Sequence, residues 1–218
     1  MRYANEARLA VVMPSGYNAF YTDNPKGPRY FRYVSEELPQ VCQSLFPLST
    51  EREDNFVAGL SMGGHGAMKM GIMKCENFAA VLCMSGASIN PDKIKAWAAR
   101  RRPRRGAADD DLPRIDVKTI YGNLNKYKGS VNDVWHYARL NVEAGKQLPA
   151  FFMTVGDEDF ARESVEDAYA YLTDLGYETM LEIVPGYGHV WDFWDLTLRK
   201  ALREWLPLRG APIYPSEE

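Results

Sequence analysis

The feature that most constrains this chain is a serine set between glycines, Ser61, in the stretch Gly59-Leu60-Ser61-Met62-Gly63. Residues 56–58 before it form an apolar run typical of a β-strand, and residues 67–74 after it favour a helix. On a tight turn between strand and helix, glycines two residues away on either side leave space for the serine hydroxyl. The pattern predicts a nucleophile elbow, in which Ser61 is the nucleophile and the Met62 N–H at the helix N-terminus donates to an oxyanion.

The rest of the chain alternates between short apolar runs and helical patterns. Apart from the run before Ser61, buried strands are predicted at residues 9–13, 80–84, 151–155 and 180–184. Helical patterns are found at residues 34–45, 131–145, 165–175 and 194–205. This alternation predicts one α/β domain over residues 1–218, with a mostly parallel sheet covered by helices on both faces.

The pattern loosens between residues 89 and 119, which we interpret as an insertion or excursion loop. This segment contains a basic run at residues 100–105 and an acidic triplet at residues 109–111. A basic run can bind phosphates, but the nearby acidic triplet and the intervening Pro and Gly favour a solvated loop.

The composition bounds the classes of protein to which the chain can belong. It has 218 residues, 46% of them hydrophobic, with no apolar run long enough to cross a bilayer and no secretory signal, so we expect a soluble globular protein. Its three cysteines, Cys42, Cys75 and Cys83, are irregularly spaced, which favours reduced thiols, a cytoplasmic location and no zinc site. The net charge of −3 gives no general attraction to nucleic acid or to anionic membranes.

A serine nucleophile needs a histidine within hydrogen-bond reach, and the chain has three. His65 lies one helical turn past Ser61 and is expected to point away from the hydroxyl. His136 lies in the middle of a predicted helix and is expected to be a half-buried surface residue. His189 follows the last predicted strand in the glycine-rich loop 186–188, which can place an imidazole over the sheet edge, so His189 is the predicted general base.

The carboxylate that orients this histidine is expected in the segment Gly156-Asp157-Glu158-Asp159-Phe160, which follows the strand at 151–155. Asp159 is preferred because the turn after Gly156 needs two residues before a side chain can point back at the imidazole. Asp157 is the alternative, and Glu158 is expected to face solvent. The chain order of nucleophile, acid and base is that of α/β-hydrolases.

Four aromatic residues are candidates for the walls of a substrate pocket. Tyr17, Phe20 and Tyr21 leave the end of the strand predicted at 9–13, where open α/β sheets bind ligands, and Trp191 follows His189. Aromatic residues beside a core also serve simply to pack it, so both interpretations stay open.

Three stretches carry a resemblance to a known group: 59–67, 156–160, and 185–195 with its His-x-Trp-x-Phe-Trp pattern. Together with residues 12–14 and 37–39, they resemble the esterase D and tributyrin esterase group of α/β-hydrolases. That group includes short-chain carboxylesterases, S-formylglutathione hydrolases and some feruloyl esterases, and is similar to the mycolyltransferases. The resemblance implies an α/β-hydrolase fold, with Ser61 as nucleophile, Asp159 as acid and His189 as base.

The resemblance also implies a difference at the beginning of the chain. Members of the group have further strands and a His-Gly loop, which supplies a second oxyanion donor, ahead of the segment that matches residues 3–13. We therefore expect the usual first strands to be missing, one sheet edge to be open to pairing between chains, and an oxyanion hydrogen bond worth about 2.7–4 kcal/mol to be lost.

These observations predict a serine carboxylesterase that hydrolyses short-chain acyl, aryl or thiol esters through an acyl-enzyme and needs neither metal nor organic cofactor. One alternative is acyl transfer to an alcohol or thiol by the same three residues. A second is a catalytically silent binding protein of this fold, and a third is a chain that needs the missing strands from elsewhere.

Overall fold

The computed structural model describes residues 2–24, 27–87, 89–100 and 117–209. The strands in these ranges are β1 (Phe56–Leu60), β2 (Ala80–Met84), β3 (Ala150–Gly156) and β4 (Thr179–Val184). The α-helices are α1 (Arg2–Glu6), α2 (Tyr30–Arg32), α3 (Leu38–Leu45), α4 (Met62–Met73), α5 (Ile94–Arg100), α6 (Val117–Tyr121), α7 (Val134–Glu143), α8 (Arg162–Asp174) and α9 (Trp191–Lys200). π-Helical turns connect α2 to α3 (Tyr33–Glu37) and extend α9 (Ala201–Trp205).

The sheet has the order β1-β2-β3-β4, and each neighbouring pair is parallel. Leu60 lies opposite Met84, and Met84 lies opposite Thr154, so the strands end near one another at one edge. Each of the four strands appears where an apolar run predicts it. Because all four carboxyl ends meet at this edge, the loops that leave them can bring distant residues together.

Helices cover both faces of the sheet, as the alternation predicts. Val81 and Cys83 of β2 face one way and join the buried residues of α4, α7 and α8. Leu82 and Met84 face the other way and join Phe193 and Trp194 of α9. This two-sided burial explains why β2 is apolar throughout rather than alternating between apolar and polar residues.

A third buried cluster lies beside the elbow and contains part of the segment predicted as an insertion. It includes Ile89 and Ile94, with Phe20 from the aromatic loop and the partly buried side chain of Met62. Residues 101–105 of the basic run and the acidic triplet at 109–111 lie outside the described residues.

The prediction of a buried strand at residues 9–13 is wrong. The segment is irregular, and Val11, Val12 and Met13 are 56%, 48% and 81% exposed. A strand forms only where its N–H and C=O groups have a ladder partner, and in the described ranges β1 pairs with β2 alone. The apolar character of the run was therefore insufficient without a neighbouring strand.

The helix predicted at 34–45 is present but not regular. The Leu38 N–H donates to the Tyr33 carbonyl, five residues back, just before Pro39, which has no N–H to give. Val34 is buried, but Val41 and Leu45 of the predicted apolar face are 53% and 68% exposed. Helices α4, α7, α8 and α9 follow the predicted patterns, whereas α1, α5 and α6 form where no helix was predicted. Among the helices in the described ranges, none is both long and apolar enough to pass through a membrane.

Lys69 on α4 is a buried cation, 1% exposed. Its Nζ donates to Asn132 Oδ1 at 3.3 Å and lies 4.9 Å from the centre of the Phe31 ring. Burial lowers the pKa of Lys69 to about 8, although the charge of Asp23 acts in the opposite direction. The unfolded chain therefore holds this proton more tightly than the folded chain between about pH 8 and the ordinary lysine value of 10.5.

We expect the free energy of unfolding contributed by Lys69 to rise with pH across this window, by up to about 3 kcal/mol. Urea unfolding of the wild type and of Lys69→Met at pH 7.5 and pH 10 measures it. Because methionine does not titrate, the variant should be relatively more stable at the lower pH, and the difference should shrink at the higher one. Parallel pH profiles for the two proteins would contradict this assignment.

Candidate active site

Ser61 lies between β1 and α4 on a strained turn, with φ 51° and ψ −118°. A positive φ is uncommon for a residue with a side chain and marks a position that its surroundings hold in place. The Ser61 N–H donates to the Met84 carbonyl of β2 at 2.8 Å, which ties the turn to the sheet edge. The elbow geometry predicted from the glycine pattern is therefore present.

The two glycines of the pattern contribute differently. A Cβ on Gly59 would lie 2.1 Å from the Gly63 carbonyl oxygen, so no side chain fits there. A Cβ on Gly63 would meet nothing closer than the Tyr21 hydroxyl at 4.0 Å. Gly59 is thus required by close approach of the backbone, whereas the space around Gly63 does not demand a glycine.

Asp159 follows β3 in a tight turn, and its N–H donates to the Gly156 carbonyl. Its carboxylate is buried, and Oδ1 accepts the Ala161 N–H at 2.8 Å. Asp157, the alternative acid, turns elsewhere: its Oδ1 accepts the Gly186 N–H at 2.7 Å. Glu158 is exposed, as the sequence predicts.

His189 lies between Asp159 and Ser61. Its Nδ1 is 3.0 Å from both carboxylate oxygens of Asp159, and its Nε2 is 2.8 Å from Ser61 Oγ. Since a carboxylate can only accept, the network assigns the ring proton to Nδ1 and leaves the Nε2 lone pair to accept the Ser61 hydroxyl. The structure thus brings together the three residues that sequence reasoning selected, in an arrangement able to move the Ser61 proton to the imidazole.

The other two histidines lie elsewhere. His65 is buried with its ring 5.8 Å from Phe20, and burial, followed by the nearby charge of Lys69, lowers its pKa to about 3. It is therefore neutral at physiological pH. His136 is half-buried on α7, and its Nδ1 is 3.3 Å from an Arg139 nitrogen.

Two aromatic rings contact the imidazole, and a third contacts one of them. The Phe160 ring lies 4.3 Å from the His189 ring, and the Trp194 ring lies 4.9 Å from it, edge to face. Trp191 in turn contacts Trp194 at 5.1 Å. Trp194 is fixed by donating its Nε1–H to Ser85 Oγ at 2.9 Å. Sequence reasoning selected Trp191 but missed Phe160 and Trp194, although Phe160 directly follows Asp159.

The aromatic loop is spread over two places. Phe20 is buried in the cluster that contacts the Met62 side chain. The Tyr21 ring lies against Gly16 and Gly66, near enough that neither could carry a Cβ without movement. Tyr17 is 69% exposed and pairs with Tyr30. Both line a cavity of about 460 Å³ that includes none of Ser61, Asp159 and His189. Sequence reasoning grouped these residues because they are adjacent in the chain, but Tyr17 turns away from the other two.

The described side chains offer no metal centre, since no three His, Cys, Asp or Glu residues among them are grouped as one would require. Cys42, Cys75 and Cys83 are all free.

A parallel α/β sheet that carries a serine, an aspartate and a histidine, in this chain order, on loops at its carboxyl edge defines the α/β-hydrolase class. Comparison with known proteins gives the family. The model of the esterase family, described as "Putative esterase", matches residues 2–204, and the chain belongs to this family.

Relatives within the family are esterases and hydrolases of acyl compounds. The chain is 32% identical over 215 residues to an acetyl esterase of Caldicellulosiruptor saccharolyticus, covering 94% of this chain and 73% of that protein. It is 34% identical over 80 residues to an S-formylglutathione hydrolase of Paracoccus denitrificans, covering 36% of this chain and 28% of the relative. The chain is accordingly a serine carboxylesterase by family.

Solved structures agree with this fold. A substrate-bound serine hydrolase of Staphylococcus aureus, the fluorophosphonate-binding FphF, superposes with a TM-score of 0.79 at 29% identity, over 94% of this chain and 74% of that one. An S-formylglutathione hydrolase of the same organism gives a TM-score of 0.76 at 30% identity over the same shares. The prediction of an esterase D-like α/β-hydrolase is confirmed.

The histidine loop depends on close approach at Gly156, where a Cβ would lie 1.9 Å from the Tyr187 carbonyl oxygen. We expect Gly156→Ala to displace this loop and lower hydrolysis of p-nitrophenyl acetate about 100-fold, because a misplacement of about 1 Å has such effects. Gly188→Ala is the matched control in the same loop, since its Cβ would meet only the Glu158 carbonyl at 3.9 Å. Equal loss in both variants would contradict this explanation.

Proposed function

We propose that Ser61, His189 and Asp159 form the catalytic triad of a serine esterase that acts on short-chain acyl esters. The observation that supports this most directly is the continuous hydrogen-bonded chain from the buried Asp159 carboxylate through His189 to Ser61 Oγ. Asp159 holds the imidazole in one tautomer and stabilises the imidazolium that forms during the reaction.

In the acylation step, Ser61 Oγ attacks the ester carbonyl while His189 Nε2 takes its proton. The Met62 N–H, at the N-terminus of α4, lies next to Ser61 in the chain and donates to the developing oxyanion. His189 then returns the proton to the leaving oxygen, the carbon–oxygen bond breaks, and the alcohol departs. The acyl group stays on Ser61.

In the deacylation step, water takes the place of the alcohol. The water oxygen attacks the acyl carbon while His189 accepts a proton from the water. That proton then passes to Ser61 Oγ as the carboxylic acid leaves. The enzyme returns to its starting state, so no cofactor enters the balance. Hydrolysis is favoured over acyl transfer and over a silent binding role, because the relatives named above are an acetyl esterase and an S-formylglutathione hydrolase.

A short acyl group is supported by two observations. The relative that aligns with 94% of the chain is named an acetyl esterase. In this chain, the side chain of Met62 beside the nucleophile packs against a filled apolar cluster that includes Phe20. Phe20 and Tyr21 therefore remain our proposed walls on the acyl side of the pocket, and Tyr17 is the least favoured of the four aromatic candidates.

Pairing between chains and a cytoplasmic location are also proposals. The free edge of β1 in the described ranges could pair with a second copy, since unpaired strand edges present open N–H and C=O groups. Sedimentation equilibrium would detect such a dimer. The free cysteines are consistent with a reducing compartment.

Removing the nucleophile tests the proposal. We expect Ser61→Ala to abolish hydrolysis of p-nitrophenyl acetate and labelling by a fluorophosphonate probe, with an unchanged far-UV circular dichroism spectrum. Ser44→Ala, which removes an exposed hydroxyl on α3, should change neither signal. Persistent turnover or labelling in Ser61→Ala would refute the assigned nucleophile.

The acid is tested by a matched pair of aspartates. We expect Asp159→Asn to lower kcat about 10,000-fold, because asparagine favours the wrong tautomer of the imidazole. In Asp157→Asn the amide oxygen can still accept the Gly186 N–H, so this variant should stay near wild-type activity. If Asp157→Asn were the damaging change, the acid would have to be reassigned.

A further inference from the structure

Two exposed aromatic rings connect to the imidazole, one directly and one through Trp194, and together we call Phe160 and Trp191 the aromatic rim. Their exposures are 74% and 73%, although both are large apolar side chains. Phe160 contacts His189 directly, and Trp191 reaches it through Trp194. Neither ring is needed to complete the hydrogen bonds of the triad, so their exposure has a different explanation.

The proposed reaction determines which part of the ester lies next to these rings. His189 Nε2 delivers its proton to the leaving oxygen, so that oxygen must come within hydrogen-bond distance of Nε2. The first atoms of the leaving alcohol are then held against the imidazole, where the Phe160 ring lies 4.3 Å from the ring of His189. The acyl part of the ester, in contrast, lies on the side of Ser61 and Met62.

Within the described part of the chain, two exposed acidic residues adjoin the triad loop and the rim in sequence. Glu158 directly precedes Asp159 in the chain, and Asp192 directly follows Trp191. Both side chains are exposed. On α8, Arg162 pairs with Glu166, and on α9, Arg199 pairs with Asp195 and Lys200 with Glu182. Lys93, which precedes α5, pairs with Glu163 and Asp167. Among the described residues, an anionic group brought to the rim would therefore meet negative charge that the cations of α8 and α9 do not compensate.

We propose that the aromatic rim binds the leaving group of the ester and selects aryl alcohols that are neutral or cationic over anionic ones. This inference rests on the proposed triad and adds a substrate class to it. A flat aromatic alcohol can stack on Phe160 while its oxygen remains at Nε2, and ring pairs of this kind gain affinity beyond the area they bury. A carboxylate on that alcohol would be repelled by Glu158 and Asp192.

The aryl preference is tested with two acetate esters, phenyl acetate and trifluoroethyl acetate. Both give the same acetyl-enzyme, so differences in kcat/KM, normalised by each ester's rate with hydroxide, report the acylation step alone. We expect Phe160→Ala to lower kcat/KM for phenyl acetate about 3- to 10-fold and to leave trifluoroethyl acetate within about 2-fold. Phe160→Tyr should restore the aryl preference.

Phe46→Ala is the matched control, because Phe46 is also an exposed phenylalanine, 58% exposed, but lies at the end of α3. It should change neither ester. If Phe160 merely positioned His189, both esters would lose rate equally in Phe160→Ala, and this result would overturn the proposal.

The charge preference is tested with para-acetoxybenzamide and its anionic counterpart para-acetoxybenzoate. We expect the normalised kcat/KM of the wild type to be lower for the anion, and Glu158→Gln and Asp192→Asn each to raise that value about 2-fold at low salt. Glu178→Gln is the control, since Glu178 is exposed but precedes β4 at the opposite end of the sheet. Equal normalised rates for the two wild-type substrates would overturn the charge preference.

The failure of the triad and the failure of the rim give different results. A wild-type protein that hydrolyses none of these esters refutes the proposed function, and the leaving-group inference with it. A wild-type protein that hydrolyses all of them, with no change in relative rates in Phe160→Ala, refutes the aromatic rim and leaves the triad intact.

Discussion

The active-site edge depends on backbone segments that approach one another more closely than any side chain would allow. Added Cβ atoms at Gly59, Gly86 and Gly156 would lie 2.1, 2.0 and 1.9 Å from the carbonyl oxygens of Gly63, Ser61 and Tyr187. These glycines lie at or just beyond the ends of three adjacent strands. The first contact shapes the elbow, the second holds the loop after β2 against the nucleophile, and the third joins the acid loop to the histidine loop. A triad assembled from three loops is held in place because each loop is locked by such a contact.

The parts of the fold and of the site that could be predicted from the sequence are those determined by residues close together in the chain. The strands β1 to β4 and most helices are decided by apolar runs and periodicity, so they appear where predicted. Ser61, Asp159 and His189 could also be selected, because each follows a predicted strand and parallel strands end at one edge. Residues 9–13 were predicted wrongly, because a strand needs a neighbour and the run itself does not contain that information.

The aromatic residues show the same limit in another form. Tyr17, Phe20 and Tyr21 all have positive φ values, which send adjacent side chains in different directions. Adjacency in the sequence therefore says little about which of them face one site. Phe160 was missed for the opposite reason: a single aromatic after an acidic run has no pattern, and its relation to His189 exists only once two loops that are 30 positions apart meet.

Exposure increases step by step from the proposed acid, through the proposed base, to the ring beside it. The Asp159 side chain is fully buried, the His189 side chain is 19% exposed, and the neighbouring Phe160 is 74% exposed. In the proposed mechanism, the Asp159 charge that must stay in place is thus already withdrawn from water, whereas the imidazole that would exchange protons with alcohol and water remains accessible. An ester whose alcohol part covers Phe160 would complete the exclusion of water at His189 during acylation, and its departure would reopen the path for the hydrolytic water. In the proposed leaving-group site, the substrate itself would thus supply the cover that acylation needs and that deacylation must lose.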